Sequence, residues 1–290
     1  MHKVKAKGIL SAKNGMNLYR GCSHGCIYCD SRSKCYHMEH EFEDIEVKEN
    51  APELLEDALR RRWKKCMIGT GAMTDPYIPL EEELCQMRRA LEVIERYGFG
   101  VTVLTKSARI LRDMDLLQKI HERAKCVVQM TLTTYDEGLC RKLEPNVSTT
   151  AERFAALKEF RDAGIPAVVW LAPVLPFIND TPENISGILE MCAEAKVRGI
   201  ICFGMGVTLR EGSREYFYRQ LERLFPGMKE RYIRAYGSRY ELASPRNAEL
   251  MGIFRDRCRS GGILCGNDRI FEYLSKFPEE PGGHQMTLWD

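Results

Sequence analysis

GVTVLTKSARILRDMDLLQKIHERAKCVVQMTLT, residues 100–133, is the stretch whose reading decides the fold class. Gly100–Thr105 and Cys126–Thr133 are short runs rich in β-branched residues. Between them Ser107 stands at a helix-opening position. Ile110, Leu111, Met114, Leu117 and Ile120 then recur at helical spacing. A strand, a crossover helix and a second strand make a unit of a parallel sheet.

The unit recurs in both directions along the chain. Further strand-like runs lie at Asn14–Tyr19, Cys66–Thr70, Ile165–Leu171 and Ile200–Gly204. Helical patterns fill the gaps. Asn50 reads as a cap before Leu54, Leu55, Ala58, Leu59 and Trp63, and Leu80, Leu84, Met87, Leu91 and Ile94 form one continuous stripe. Gly98 reads as its stop. Thr149 and Glu152 have the spacing of a capping box, and Thr181-Pro182-Glu183 and Ser213 open two more helices. Six βα units suit an incomplete TIM-like (β/α)6 barrel, and almost equally an open doubly wound sheet. Periodicity does not separate the two.

Composition excludes several classes. The 290 residues carry 43 Lys and Arg against 41 Asp and Glu, a net charge of +2, so there is no global polyanion-binding charge. With 44% hydrophobic and 29% charged residues the chain reads as an ordinary globular protein. The first ten residues show no apolar signal segment, and the most apolar run, Ala167–Ile178, is broken by Pro173 and Pro176. A membrane span takes about 20 residues, so a cytoplasmic protein is expected.

Cys22, Cys26 and Cys29 crowd together, while nine other cysteines are scattered. In a reducing compartment such a cluster points to metal binding. Three thiolates do not complete a tetrahedral zinc shell or a four-cysteine iron–sulfur shell. Cys35, His24, His37 or a distant cysteine would supply a fourth ligand, or the fourth position stays open for a substrate or cofactor. Gly21 and Gly25 let the backbone wrap closely around a cluster.

Asn17-Leu18-Tyr19-Arg20-Gly21-Cys22-Ser23-His24-Gly25-Cys26-Ile27-Tyr28-Cys29 resembles the cluster loop of radical S-adenosylmethionine (SAM) enzymes, and more narrowly of the spore photoproduct lyase-related branch. Thr74-Asp75-Pro76-Tyr77, Thr105-Lys106-Ser107 and Arg141-Lys142-Leu143-Glu144-Pro145 extend the resemblance over roughly residues 10–225. It implies a partial radical SAM barrel in which Cys22, Cys26 and Cys29 hold a [4Fe-4S] cluster with one iron free for SAM. Reductive cleavage of SAM would give a 5′-deoxyadenosyl radical that takes hydrogen from a substrate, with electrons from a flavodoxin- or ferredoxin-like donor. The lyases' hydrogen-donating cysteine has no counterpart here, because the corresponding stretch reads Gly71-Ala72-Met73-Thr74. Thymine-dimer repair is therefore not carried over. The substrate stays open, with a nucleic-acid base or lesion one class; an iron–sulfur electron carrier and a zinc-binding DNA-associated module are the alternatives.

Parallel βα barrels place active sites at the C-terminal ends of their strands. Those ends carry Gly71, Thr74 and Asp75, then Lys106, then Thr131 and Thr133, then Gly204 and Gly206. With Tyr28 these are the candidate cofactor-binding residues. Glu81, Gln129 and Trp170 fit cavity or core equally, and no residue is assigned to catalysis.

Residues 226–275 carry nine Lys and Arg against six Asp and Glu and break the alternation; they read as an α-helical or α/β extension to a barrel of residues 1–225. Residues 276–290 read as a tail with a linker at 276–284. Its Gln285-Met286-Thr287-Leu288-Trp289 resembles the peptide that binds the bacterial sliding clamp, which implies a clamp contact through Gln285, Leu288 and Trp289.

Overall fold

The computed structural model describes residues 1–278. Six strands form one parallel sheet: β1 (Gly15–Met16), β2 (Met67–Thr70), β3 (Gly100–Thr105), β4 (Cys126–Thr131), β5 (Ala167–Trp170) and β6 (Gly199–Ile201). Their hydrogen-bonded order follows their order in the chain. A doubly wound sheet reverses direction at a switch point, whereas this order never reverses. The architecture is therefore the partial TIM-like barrel. Among the described residues no ladder joins β6 back to β1.

Each crossover contains one long helix: α1 (Ala51–Arg60), α2 (Gln86–Arg96), α3 (Met114–Arg123), α4 (Thr150–Asp162) and α5 (Pro182–Glu194), with the short helices Glu81–Leu84 and Glu137–Leu143 preceding α2 and α4. Leu55, Leu91, Ile94, Leu117, Leu157, Phe160 and Ile188 bury their side chains in one apolar layer with Val101, Val103, Val128 and Val169 of the sheet. All six residues of β4 are buried, which matches its position deep in the sheet. The capping box on α4 forms as the sequence predicts: Thr149 accepts from Glu152 N–H, and the Glu152 carboxylate accepts from Thr149 N–H at 2.7 Å.

Four local expectations change. The run Asn14–Tyr19 divides, because only Gly15–Met16 joins β2 while Tyr19–Arg20 pairs antiparallel with Glu46–Lys48 in a separate three-stranded sheet. The stripe from Leu80 to Ile94 is broken at Cys85, where φ is +49°. The cause is Glu81, whose buried carboxylate accepts the N–H groups of Gln86 and Met87 at 3.1 and 2.9 Å and so starts a new helix. Ser107 opens a 3-10 turn, Ala108–Asp113, before α3 begins. Asn50 precedes α1 but does not cap it, since its amide pairs with the backbone of Ala6.

The extension returns to the barrel. Glu241–Ala243 pairs antiparallel with Gly206–Thr208, just past β6. Asn247–Ser260 packs on α5, Asn267–Ser275 packs on β6, and Leu264 bridges to Gly199. Residues 279–290, with most of the predicted linker and the whole clamp-like peptide, lie outside the described residues. No helix among the described residues is long and apolar enough to cross a membrane.

Candidate active site

The loop carrying the cysteines follows β1, and its shape is imposed by close backbone contacts. Gly21 has φ +86°, and a Cβ there would lie 2.5 Å from the Phe42 carbonyl oxygen. That oxygen accepts the Cys22 N–H at 3.1 Å. On the other side the loop is stitched to Leu143–Asn146: Ile27 N–H donates to Leu143 O at 3.0 Å, and Asn146 N–H to His24 O at 3.1 Å. Gly25, φ +72°, leaves room for Pro145, which a Cβ would meet at 3.0 Å. The Arg141–Pro145 motif thus serves as a backing for the cysteine loop.

Cys22, Cys26, Tyr28 and Cys29 open onto one cavity of about 690 Å3, whose volume suits a ligand of drug or cofactor size. Gly71, Asp75, Lys106, Thr131, Gly204 and Gly206 line the same cavity. These are C-terminal strand ends, as the barrel rule requires. Thr74 and Thr133 do not line it. Thr133 is fully buried, and its carbonyl accepts from the Asn179 and Asn184 amides at 2.8 and 3.0 Å. Of the three undecided residues, Trp170 lines the cavity. Gln129 bonds Thr102 and the Trp170 indole beside it, while Glu81 is buried with Tyr19 and Arg112.

Asp75 is occupied by its own surroundings. It accepts from Thr105 Oγ1 at 2.7 Å, Lys106 N–H at 2.7 Å and Tyr77 N–H at 2.8 Å. It therefore holds the β3 end in place. His24, which lines the cavity, sits with Nδ1 3.4 Å from Asp75 Oδ2, while its Nε2 is buried with no hydrogen-bond partner. Burial lowers the His24 pKa, so the ring is neutral.

Behind the cysteines runs a buried chain of charges. The Lys106 ammonium lies 3.7 Å from Glu144 and 5.3 Å from the centre of the Tyr28 ring. The Tyr28 hydroxyl donates to Glu144, whose other oxygen takes Arg153 at 2.5 Å. Arg153, fully buried, also donates to Thr131 O at 2.7 Å. Burial alone would raise the Glu144 pKa, but Arg153 and Lys106 prevail and hold it at about 2. Burial likewise opposes the Lys106 charge, and the Cys26 sulfur and Glu144 outweigh it, so its pKa is raised. That cation pulls the Cys26 thiol down, but burial prevails and holds its pKa well above the ordinary value. Burial pushes the Cys22 thiol up as well, to about 12.

The donor set discriminates between metals. A tetrahedral zinc with Zn–S of about 2.3 Å would bring thiolate sulfurs to about 3.8 Å of one another. Among the described residues no group holding all three cysteines has its ligand atoms within 4.8 Å of one another. A wider, polynuclear centre suits them better than a single ion.

Sequence reasoning missed several cavity residues. Phe203, 65% exposed, packs with Trp170 at 6.0 Å between ring centres, and both rings pack with Phe271. Its only signal was its position beside Gly204. Glu241, Leu242, Ala243 and Asn247 come from the extension, and nothing in the local sequence marks them.

Residues 16–192 match the radical SAM superfamily model, and the chain belongs to that superfamily. Its members bind a [4Fe-4S] cluster and SAM. An uncharacterized protein of Mycobacterium tuberculosis is 30% identical over 247 residues, covering 81% of this chain and 71% of that protein. One of Methanocaldococcus jannaschii is 31% identical over 186 residues, covering 61% and 69%. A spore photoproduct lyase mutant with bound AdoMet and dinucleoside spore photoproduct aligns with a TM-score of 0.61 at 14% identity, over 87% of this chain and 75% of that one. At that identity the likeness establishes the shared fold.

Proposed function

We propose that this is a radical SAM enzyme in which Cys22, Cys26 and Cys29 hold the cluster, with one iron left free of protein ligands. The observation that carries the reading is the opening of all three cysteines, Lys106 and the glycine-bearing strand ends onto one cavity. Gly71, Thr131, Gly204 and Gly206 would hold SAM, and Tyr28 and Lys106 set the charge beside Cys26. When bound, the reduced cluster and SAM supply a carbon radical able to abstract hydrogen from an unactivated position. The protein's own part is to bind, orient and exclude water. His24 lines the cavity as a neutral ring, and Asp75 keeps Thr105 and Lys106 in position.

The substrate we assign to this cavity is a planar ring of the nucleobase class. Trp170 and Phe203 line it as an aromatic wall backed by Phe271, and base–aromatic stacking contributes about 1–3 kcal/mol per base. The electron donor is of the flavodoxin or ferredoxin class.

The test is anaerobic reconstitution with iron and sulfide, followed by dithionite and SAM. The expected result is a brown protein that releases 5′-deoxyadenosine, with both properties lost in Cys22→Ala, Cys26→Ala and Cys29→Ala. Four protein ligands to the cluster, or tightly held zinc in oxygen-free preparations, would overturn the reading.

A further inference from the structure

A second set of metal-ligating side chains lies outside the cavity. His2, His40 and Asp44 offer one ligand atom each, all within 4.8 Å of one another, and none of the three lines the cysteine cavity. All three are half-buried. His2 Nδ1 is 2.9 Å from Asp44 Oδ2, and the two imidazole rings meet edge to face with centres 4.8 Å apart. Hydrogen bonding explains the His2–Asp44 pair. It does not explain His40, whose Nε2 is buried without a hydrogen-bond partner, with Glu46 Oε2 standing 3.6 Å away. The His40 Nδ1 is already engaged with the Glu41 carbonyl at 3.0 Å, which fixes the ring with Nε2 directed inward.

Metal–nitrogen and metal–oxygen bonds of about 2.0–2.1 Å in a tetrahedral site place neighbouring ligand atoms about 3.3 Å apart. The His2–Asp44 separation of 2.9 Å lies near that value, and the His40 ligand atom lies within 4.8 Å of both. We propose that His2, His40 and Asp44 bind a divalent transition-metal ion of the zinc class, with the fourth position open to water.

The position gives the ion a task. His2 begins the strand His2–Val4, which pairs with Glu46–Lys48, and His2 N–H donates to Ile45 O at 3.0 Å. His40 and Asp44 flank Phe42, whose carbonyl accepts the Cys22 N–H. An ion held by both would clamp the loop on each side of that carbonyl. The site is thus a structural clasp under the first cysteine, and its two imidazoles and one carboxylate select a borderline ion over iron–sulfur chemistry.

The probe is cobalt(II), added anaerobically to tag-free, cluster-loaded protein, with bound metal measured by equilibrium dialysis and visible absorption. One equivalent should bind with ligand-field bands typical of nitrogen and oxygen donors, and without sulfur-to-cobalt charge transfer. Zinc(II) should displace it. His40→Ala and Asp44→Ala should each weaken binding by more than about 100-fold, since even outer-sphere partners of a ligand are worth 10–100-fold. Cys35→Ser, which changes an exposed thiol, should leave it unaltered. If His40→Ala does not fold, His2→Gln on the same strand edge replaces it. The proposal fails if no stoichiometric cobalt binds, if binding persists in the histidine and aspartate variants, or if the bands show thiolate ligation.

Discussion

Gly71 ends β2 with φ +96°, and an added Cβ would fall 1.8 Å from the Leu104 carbonyl oxygen, a backbone atom of the neighbouring strand end. No rotamer relieves that contact. Gly71→Ala should therefore cost more than about 3 kcal/mol, seen as a lower denaturant midpoint. Gly164 also has positive φ, +73°, but has nothing within 4 Å of an added Cβ, so Gly164→Ala should cost only about 1 kcal/mol. Equal losses in the two variants would contradict the steric account. Phe203 is the opposite kind of residue, exposed at 65% and yet on the cavity rim. Phe203→Ala should leave stability within about 0.5 kcal/mol of wild type. On the proposed substrate class it should weaken binding of a thymidine dinucleoside by about tenfold, measured calorimetrically. Unchanged affinity would remove the ring from the recognition surface.

At the scale of elements, the loop between β4 and α4 carries the charge that the cysteine loop leans on. Glu144 holds a pKa of about 2 against an ordinary carboxylate value of 4.5. Its ionised form thus stabilises the fold fully above pH about 4.5, and that contribution is lost as pH falls toward 2. The stability gap between wild type and Glu144→Gln should narrow over this window when denaturant midpoints are compared at successive pH values. A gap that stays constant there would mean that the carboxylate is not the titrating group. Removing the other partner is harsher: Arg153→Met strips the buried carboxylate of its guanidinium and should cost about 3–5 kcal/mol. The elements themselves were largely legible. Gly100–Thr105 and the Thr149 capping box stand where local pattern puts them, because their signals are periodicity and short-range hydrogen bonding. The break at Cys85 was not legible, since Glu81 reaches forward past a helical stripe that continues unbroken in the sequence. The division of Asn14–Tyr19 was hidden for a similar reason: its second half pairs with Glu46–Lys48, a partner that local pattern does not name.

At the scale of the molecule, strand order separates barrel from doubly wound sheet, and no local periodicity encodes it. The three cysteines and most of the strand-end residues met on one cavity because all belong to the same end of a parallel sheet. The wall supplied by Glu241–Ala243 and Asn247 escaped because it comes from a segment without alternation, folded back by pairing with Gly206–Thr208. The stitching of the cysteine loop to Leu143–Asn146 has a temporal side. A ribosome adding 5–20 residues per second delivers residue 146 on the order of ten seconds after Cys29. During that interval the three thiols have neither their backing nor the Lys106–Glu144 charge pair beside them. The nascent chain thus displays sulfur before it has a pocket, so on the proposed ligand set loading of the inorganic centre belongs after emergence of the fourth strand and the helix Glu137–Leu143 that follows it.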